Sequence, residues 1–338
     1  MQFAAIAKSL LDTLSGHGVL RAAFPILRLY AERNESPEAR ARFSRDADRL
    51  QRKVLFWRYA PPKYKGGLVL NLFGFQVFRY LMLNLRHRLR PRRSVSPLPA
   101  HLRADMARQG YAIWPDALDP DVIAEILEFF ERRRDDRMNH FDDFSELVLS
   151  TSAGPCRQTD DYRRICARVE SACHWKEFGA LFTKRNVSIS PYIAILSSTS
   201  RADVPFQADG QDTPHSDVCY PSFKVFFYLG DVDDGDAPFT YFRGSQRFGF
   251  ARALQEYRDS IKYFWKAKDD LKPLAARAYA EGGGYPEAAL TGKKGTSIVF
   301  NVQGIHRRGD FRKDRDRERK VLLIDFRQIE STFQRFAA

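Results

Sequence analysis

Three side chains carry most of the chemical information in this sequence. His215 and Asp217 lie in Thr213-Pro214-His215-Ser216-Asp217, and His306 follows Gly304-Ile305 at the end of an apolar run. Two imidazoles and one carboxylate make a 2-His-1-carboxylate set, which holds Fe(II) on one face and leaves positions open for a co-substrate and oxygen. The spacing of the first pair has a physical reason. In an extended backbone residues two apart point the same way, so His215 and Asp217 converge while Ser216 faces elsewhere. Alone, a His-x-Asp string is weak, because a lone His is as often a satisfied structural residue. The order of elements around it gives the set its weight.

After Asp217 comes an aromatic and β-branched run at 220–229, a turn-rich acidic stretch at 230–236 and a second short run at 238–242, which together read as a β-hairpin. The hairpin ends in Arg243-Gly244-Ser245-Gln246. Residues 295–300 predict a strand that carries the chain to His306, and 319–326 a last strand. On this reading strands carry all three ligands.

In this order the pieces resemble the phytanoyl-CoA dioxygenase family of Fe(II)- and 2-oxoglutarate-dependent oxygenases. That pattern has a His-x-Asp pair, a strand ending in an acidic turn, a short second strand, a Gly-Ser turn, a Gly-led strand to a distal His, and an Arg opening the final strand. Upstream, 101–127 resembles the same family's opening: a helix, the segment from Gly110 to Pro115, a turn at Leu118-Asp119-Pro120 and a further helix. The resemblance implies a mixed α+β chain built on a double-stranded β-helix, or jelly roll, framed by helices. It implies Fe(II) with 2-oxoglutarate and O2 as co-substrates, His215, Asp217 and His306 as iron ligands, and Arg319 as partner of the distal carboxylate of 2-oxoglutarate. The implied reaction is hydroxylation of an unactivated carbon of a small-molecule or lipid-linked substrate, with release of succinate and CO2. Related halogenases lack the carboxylate ligand, so Asp217 argues for hydroxylation. Both imidazoles would then be neutral ligands rather than an acid and a base.

A guanidinium suits the co-substrate role on chemical grounds, because its fixed fork pairs a carboxylate bidentately. Arg307, Arg308, Arg312, Arg315 and Arg317 crowd the same loop. Arg319 is preferred because it heads the run Val321-Leu322-Leu323-Ile324, and Arg317, two residues earlier on the same face, is the runner-up. Tyr192 and Ile195, on an apolar run at 190–196, are candidates to line the site, and Lys224, Gln207 and Asn301 could reach co-substrate or water. For each of these, ordinary packing is the plainer account. Cys219 follows the ligand pair closely, and a small buried thiol explains it as well. Three features depart from the family pattern: Gln246 replaces the His of Gly-Ser-His, Ala237 replaces a Gly before Pro238-Phe239, and the loop from His306 to Arg319 is long and basic.

The 338 residues and 44% hydrophobic content suit a globular chain with one large core and a smaller unit. Four Cys without a Cys-x-x-Cys pair, and no signal-peptide pattern, fit a reducing, cytoplasmic compartment. The charge is uneven. Residues 1–94 hold 19 Lys and Arg against 6 Asp and Glu, whereas the remainder holds 36 of each. We therefore divide the chain into a basic helical extension, 1–94, and a dioxygenase domain, 95–338, with 91–99 as linker and an insert at 247–294. The insert opens with a helix at 251–265 that places Leu254, Tyr257, Ile261 and Phe264 on one face, either as a substrate lid or as a surface excursion.

Within the extension, 10–30 reads as amphipathic helical pieces, 36–58 as a charged helix and 66–85 as an apolar run flanked by Lys63, Lys65 and Arg86, Arg88, Arg90, Arg92 and Arg93. Asn71, Gln76, Arg79 and Asn84 interrupt the run, so it is not a clean membrane span. Two readings remain: a helix lying peripherally in an anionic membrane interface at the inner face, and a helix buried against the catalytic core. Nucleic acid also attracts such charge, but no recognisable nucleic-acid module is present. The alternative to an enzyme is a non-catalytic jelly roll that binds membrane or nucleic-acid phosphates through this extension.

Overall fold

A computed structural model describes residues 71–89, 99–141, 144–151, 154–155, 159–172, 189–200, 211–265, 283–314 and 316–328, together with 12–13 and 16. The expectations for 10–30 (beyond those three positions) and 36–58, the start of the apolar run, nearly all of the linker, and Gln207 and Arg315 lie outside these residues.

Helices precede and interrupt a series of strands along the described chain. Helix α1 (Phe75–Leu89) and α2 (Ala100–Gln109) precede β1 (Tyr111–Trp114) and α3 (Pro120–Arg132). Then come β2 (Met138–Phe141), β3 (Phe144–Thr151), β4 (Gly154–Pro155), α4 (Asp160–Ala172), β5 (Ile189–Ser200), β6 (Phe223–Tyr228) and β7 (Phe239–Phe242). The chain continues through α5 (Phe250–Trp265), β8 (Glu287–Leu290), β9 (Ser297–Asn301), β10 (His306–Arg308) and β11 (Arg317–Gln328).

Among the described residues the strands form two antiparallel sheets. The larger runs β1-β9-β6-β11-β5-β3-β2 with β4 beside β3, and the smaller runs β10-β7-β8. Strand alternation explains how both faces of the larger sheet are buried. Val225, Phe227, Val299, Leu322 and Ile324 point to one side, where they join the apolar stripes of α3 (Val122, Ile123, Ile126, Phe129, Phe130) and α4 (Tyr162, Ile165, Cys166, Val169). Both stripes have the three- and four-residue spacing of a helix face. On the other side Tyr228, Ile298, Phe300 and Val321 share a core with Phe239, Tyr241, Ala288 and Leu290 of the smaller sheet.

One expectation is corrected here: β6 and β7 are not a hairpin. β6 pairs with β9 and β11, while β7 pairs with β8 and β10. The acidic turn is a crossover between sheets, and Phe226 meets Phe239 edge to face at 5.2 Å within the shared core. Alternation marks a segment as a strand and sets its buried face, but it does not choose the partner.

By packing, the described residues fall into two compact units, 71–86 with 248–265 and 87–247 with 283–328. In the first, the polar residues are inside. Arg79 donates to Gln76 at 2.9 Å, Gln76 donates to Glu256 at 3.3 Å, and Arg252 pairs with Glu256 at 3.0 Å. The apolar face read for α5 is not its most buried side. Arg252, Glu256, Asp259 and Ser260 are buried, whereas Leu254 is exposed and Tyr257 and Ile261 are half-buried. A continuous polar network outweighs the apolar stripe in setting which side packs.

Candidate metal centre

His215 sits in the loop at 211–222 rather than on a strand, as the spacing had predicted. A single antiparallel bridge holds it to His306, the first residue of β10: His215 N donates to the His306 carbonyl at 2.9 Å and His306 N returns the bond at 2.8 Å. Asp217 is fixed by its own amide, which donates to the Val302 carbonyl at 3.0 Å. Two short stretches far apart in sequence are thus stapled by backbone, and their side chains converge.

The convergence is specific at the level of atoms. His215 Nε2 lies 3.6 Å and His306 Nε2 3.7 Å from the same oxygen, Asp217 Oδ1. All three candidate ligand atoms fall within 4.8 Å of one another. Each imidazole turns its other nitrogen to a backbone carbonyl: Nδ1 of His215 is 2.7 Å from the Thr213 oxygen, and Nδ1 of His306 is 3.0 Å from that of Gly304. A carbonyl can only accept, so both Nδ1 atoms donate, which turns both Nε2 atoms to the common point. This is how a metal-binding histidine is oriented. The two rings are buried, and that of His306 lies among Phe239, Phe300 and Tyr241 at 5.4 to 6.4 Å between centroids.

Asp217 has a second partner, Lys224 on β6, whose Nζ is 2.8 Å from Oδ2 and 3.8 Å from Asp325 of β11. Burial alone would raise the Asp217 carboxyl, but the Lys224 ammonium beside it leads the effects that outweigh burial and hold the group well below the ordinary carboxylate range. The carboxylate is thus ionised and divided: Oδ2 toward the ammonium and Oδ1 toward the imidazoles. Two neutral nitrogens and one anionic oxygen on one side of a point are a donor set that fits a divalent first-row metal.

The turn before β10 is tightly built. Tyr241 donates to the Asn301 carbonyl at 2.9 Å, Ser245 Oγ accepts from Ile305 N at 2.7 Å, and a Cβ on Gly304 would stand 1.8 Å from the Tyr241 hydroxyl. Gly304 is required by that close approach. Gly110 ends α2 in the left-handed region at φ +90, where a side chain would also strike Gln246 and Tyr241.

The remaining candidates separate. Arg317 is enclosed by acids, with Asp236 at 2.6 Å, Asp314 at 2.9 Å and Asp233 at 3.3 Å. That cluster gives the acidic turn at 231–236 an ion-pairing role. Arg319 is buried on the same face of β11 and donates to a neutral acceptor, the carbonyl of Ala237. Ala237 itself adopts φ +51, so the position where the family pattern has Gly is one that favours Gly. Tyr192 donates to Glu146 at 2.6 Å, and Asn301 Oδ1 accepts from Gln303 N at 3.0 Å within the turn. Ile195 belongs to the helix-facing core and does not line the site. Cys219 is buried and not in a disulfide, and its carbonyl accepts from Gln303 Nε2 at 3.3 Å. Arg308, one of the arginines that crowd the basic loop, is buried on the same side of β10 as His306.

No family model matches the chain, and no curated protein matches it. Among solved structures it is similar to AviO1 from Streptomyces viridochromogenes Tue57, at 15% identity and TM-score 0.41 over 70% of this chain and 98% of that one. It is also similar to the epimerase SnoN in complex with Fe3+, α-ketoglutarate and nogalamycin RO, at 14% identity and TM-score 0.42 over 69% and 87% of the two chains. EctD from S. alaskensis in its apoform is a third, at 14% identity and TM-score 0.44 over 69% and 79%.

Proposed function

We propose that the chain is an Fe(II)- and 2-oxoglutarate-dependent dioxygenase on a jelly-roll framework, hydroxylating an unactivated carbon of a small-molecule or lipid-linked substrate. The observation that carries this reading is the approach of both Nε2 atoms to one Asp217 oxygen, with each Nδ1 at hydrogen-bond distance from a backbone carbonyl. When bound, iron and 2-oxoglutarate supply the activation of O2, with succinate and CO2 released.

The chain's own residues place and shield. His215, Asp217 and His306 would hold the metal, and Lys224 pairs with Asp217 Oδ2, leaving Oδ1 on the side of the imidazoles. Phe239, Phe300 and Tyr241 surround His306 and exclude water from that flank. Arg319 is the residue we assign to the distal carboxylate of 2-oxoglutarate, because Arg317 on the same face is already neutralised by three acids. An arginine facing a buried carboxylate supplies two parallel charge-assisted hydrogen bonds.

The test is an anaerobic titration of Fe(II) into protein with 2-oxoglutarate, followed by the weak visible charge-transfer band of the chelated keto acid. The band appears in the wild type and is lost in His215→Ala. In Arg319→Met the chelate forms only at much higher 2-oxoglutarate, roughly a hundredfold for the loss of a charge-assisted pair. No band from folded wild-type protein would overturn the assignment.

A further inference from the structure

We infer that the outer face of the α1/α5 pair docks on an anionic phospholipid surface. The inference does not rest on the proposed chemistry. Its first ground is that the polarity of α1 is inverted. Phe78, Leu81, Met82, Leu85 and Leu89 recur at three- and four-residue spacing and are exposed, Phe78 to 59% and Leu89 to 74%, with Phe73 at 73% just before the helix. Gln76, Arg79, Tyr80 and Asn84 follow the same spacing on the opposite side and are buried, Arg79 to 1% exposure. A helix in water turns its apolar stripe inward. This one keeps its hydrogen-bonding residues inside and its apolar residues outside, along about 20 Å at 1.5 Å per residue.

The buried polar side is a built interface, so the inversion is specified by the sequence. Beyond the Arg79–Gln76–Glu256–Arg252 chain, Tyr257 donates to the Leu72 carbonyl at 3.0 Å and Gly249 N donates to the Tyr80 hydroxyl at 3.2 Å. Tyr80 stacks on Phe248 at 5.3 Å. Rotating α1 to bury its leucines would break all of these contacts. α5 repeats the arrangement, with Arg252 and Glu256 inside and Phe250, 87% exposed, and Leu254 outside.

Charge selects the occupant. Between Asp48 and Asp105 the sequence has 12 Lys and Arg besides the buried Arg79 and no acidic residue, and Arg88 is exposed on the last turn of α1 beside Leu89. A protein partner would need to match an apolar stripe within a long field of one sign, whereas an anionic bilayer interface offers acyl chains below a sheet of phosphates. An apolar helix face with a cation at its margin, in a basic stretch of sequence, suits such an interface. No helix among the described residues is long and apolar enough to cross a membrane.

The experiment uses the full chain and vesicles of phosphatidylcholine with about 30% phosphatidylglycerol at about 0.15 M salt. Wild-type protein floats with these vesicles and binds pure phosphatidylcholine roughly tenfold or more weakly. The double variant Leu81→Gln/Leu85→Gln keeps the net charge and uses a good helix former at two exposed sites. It loses binding by roughly tenfold or more, with unchanged circular dichroism and iron-site spectra. As a second reading, Phe78→Trp gains emission that is quenched by brominated acyl chains. Absence of wild-type binding, or binding undiminished in the Gln pair, overturns the inference. So does a dimer in solution that the Gln pair dissociates, because a second copy would then cover the face.

Discussion

Lys224 is the residue on which the behaviour of Asp217 turns. It sits 2.8 Å from Oδ2 while the imidazoles face Oδ1, so it can serve the fold, the site, or both. Lys224→Met keeps the aliphatic bulk and removes the charge. Because both partners are partly solvent-accessible, the expected loss of stability without metal is about 1–2 kcal/mol, well below that of a fully buried pair. Metal affinity is retained or raised, since a cation competing for the carboxylate is gone. Asp217→Asn shows a similar loss of stability but abolishes metal binding; Co(II) titration calorimetry beside urea denaturation separates the two. The pH dependence has a definite sign. The folded carboxyl is held low, so its contribution to stability is fully present above the unfolded value of about 4 and is lost as pH falls below it. Without metal, Asp217→Asn is correspondingly less sensitive to acid in that window.

The turn between β9 and β10 is the element that aims His306. Ser245→Ala leaves the buried amide of Ile305 without its acceptor, for an expected loss of about 1–3 kcal/mol. Gly304→Ala must move either Tyr241 or the turn, which costs about 3 kcal/mol or more. Both variants weaken Co(II) binding beyond what their stability loss explains, because the Gly304 carbonyl orients the imidazole; affinities measured well below the unfolding transition check this. Element scale is also where the sequence was legible in part. His215 and Asp217 could be found because i, i+2 spacing brings side chains to one side even in a loop closed by one bridge. The runs read as strands at 220–229, 295–300 and 319–326 were visible from their aromatic, β-branched and apolar composition and meet the strands at 223–228, 297–301 and 317–328. The pairing of β6 was not, because its partners β9 and β11 lie far downstream and nothing local encodes them. The buried face of α5 was also hidden, since Glu256 and Arg252 go inside only because Gln76 and Arg79 meet them, and an apolar-stripe rule cannot anticipate that. Arg317 and Arg319 looked alike in sequence; only the position of Asp233, Asp236 and Asp314 distinguishes them.

At the scale of the molecule, a metal ion would act as a cross-link. His215 and Asp217 belong to the loop at 211–222 and His306 to the smaller sheet, and the backbone joins them through the His215–His306 bridge and the bond from Asp217 to Val302. An ion held by all three side chains binds the folded unit and not the open chain, so folding and loading are linked. Free ion at a hundred times its dissociation constant adds about 2.7 kcal/mol of stability. For a unit of this size that corresponds to roughly 5–10 °C in the midpoint. Differential scanning calorimetry with Ni(II), which is stable in air, should show that shift in the wild type and none in His306→Ala. The comparison with Lys224→Met then isolates the cross-link from the ion pair. That variant starts from a lower midpoint, yet it should gain at least as much on loading, because its Asp217 has no other cation to satisfy. A gain in Lys224→Met that fell short of the wild type would instead make the ammonium part of what holds the ligand in place, with the ion pair and the metal site acting as one unit.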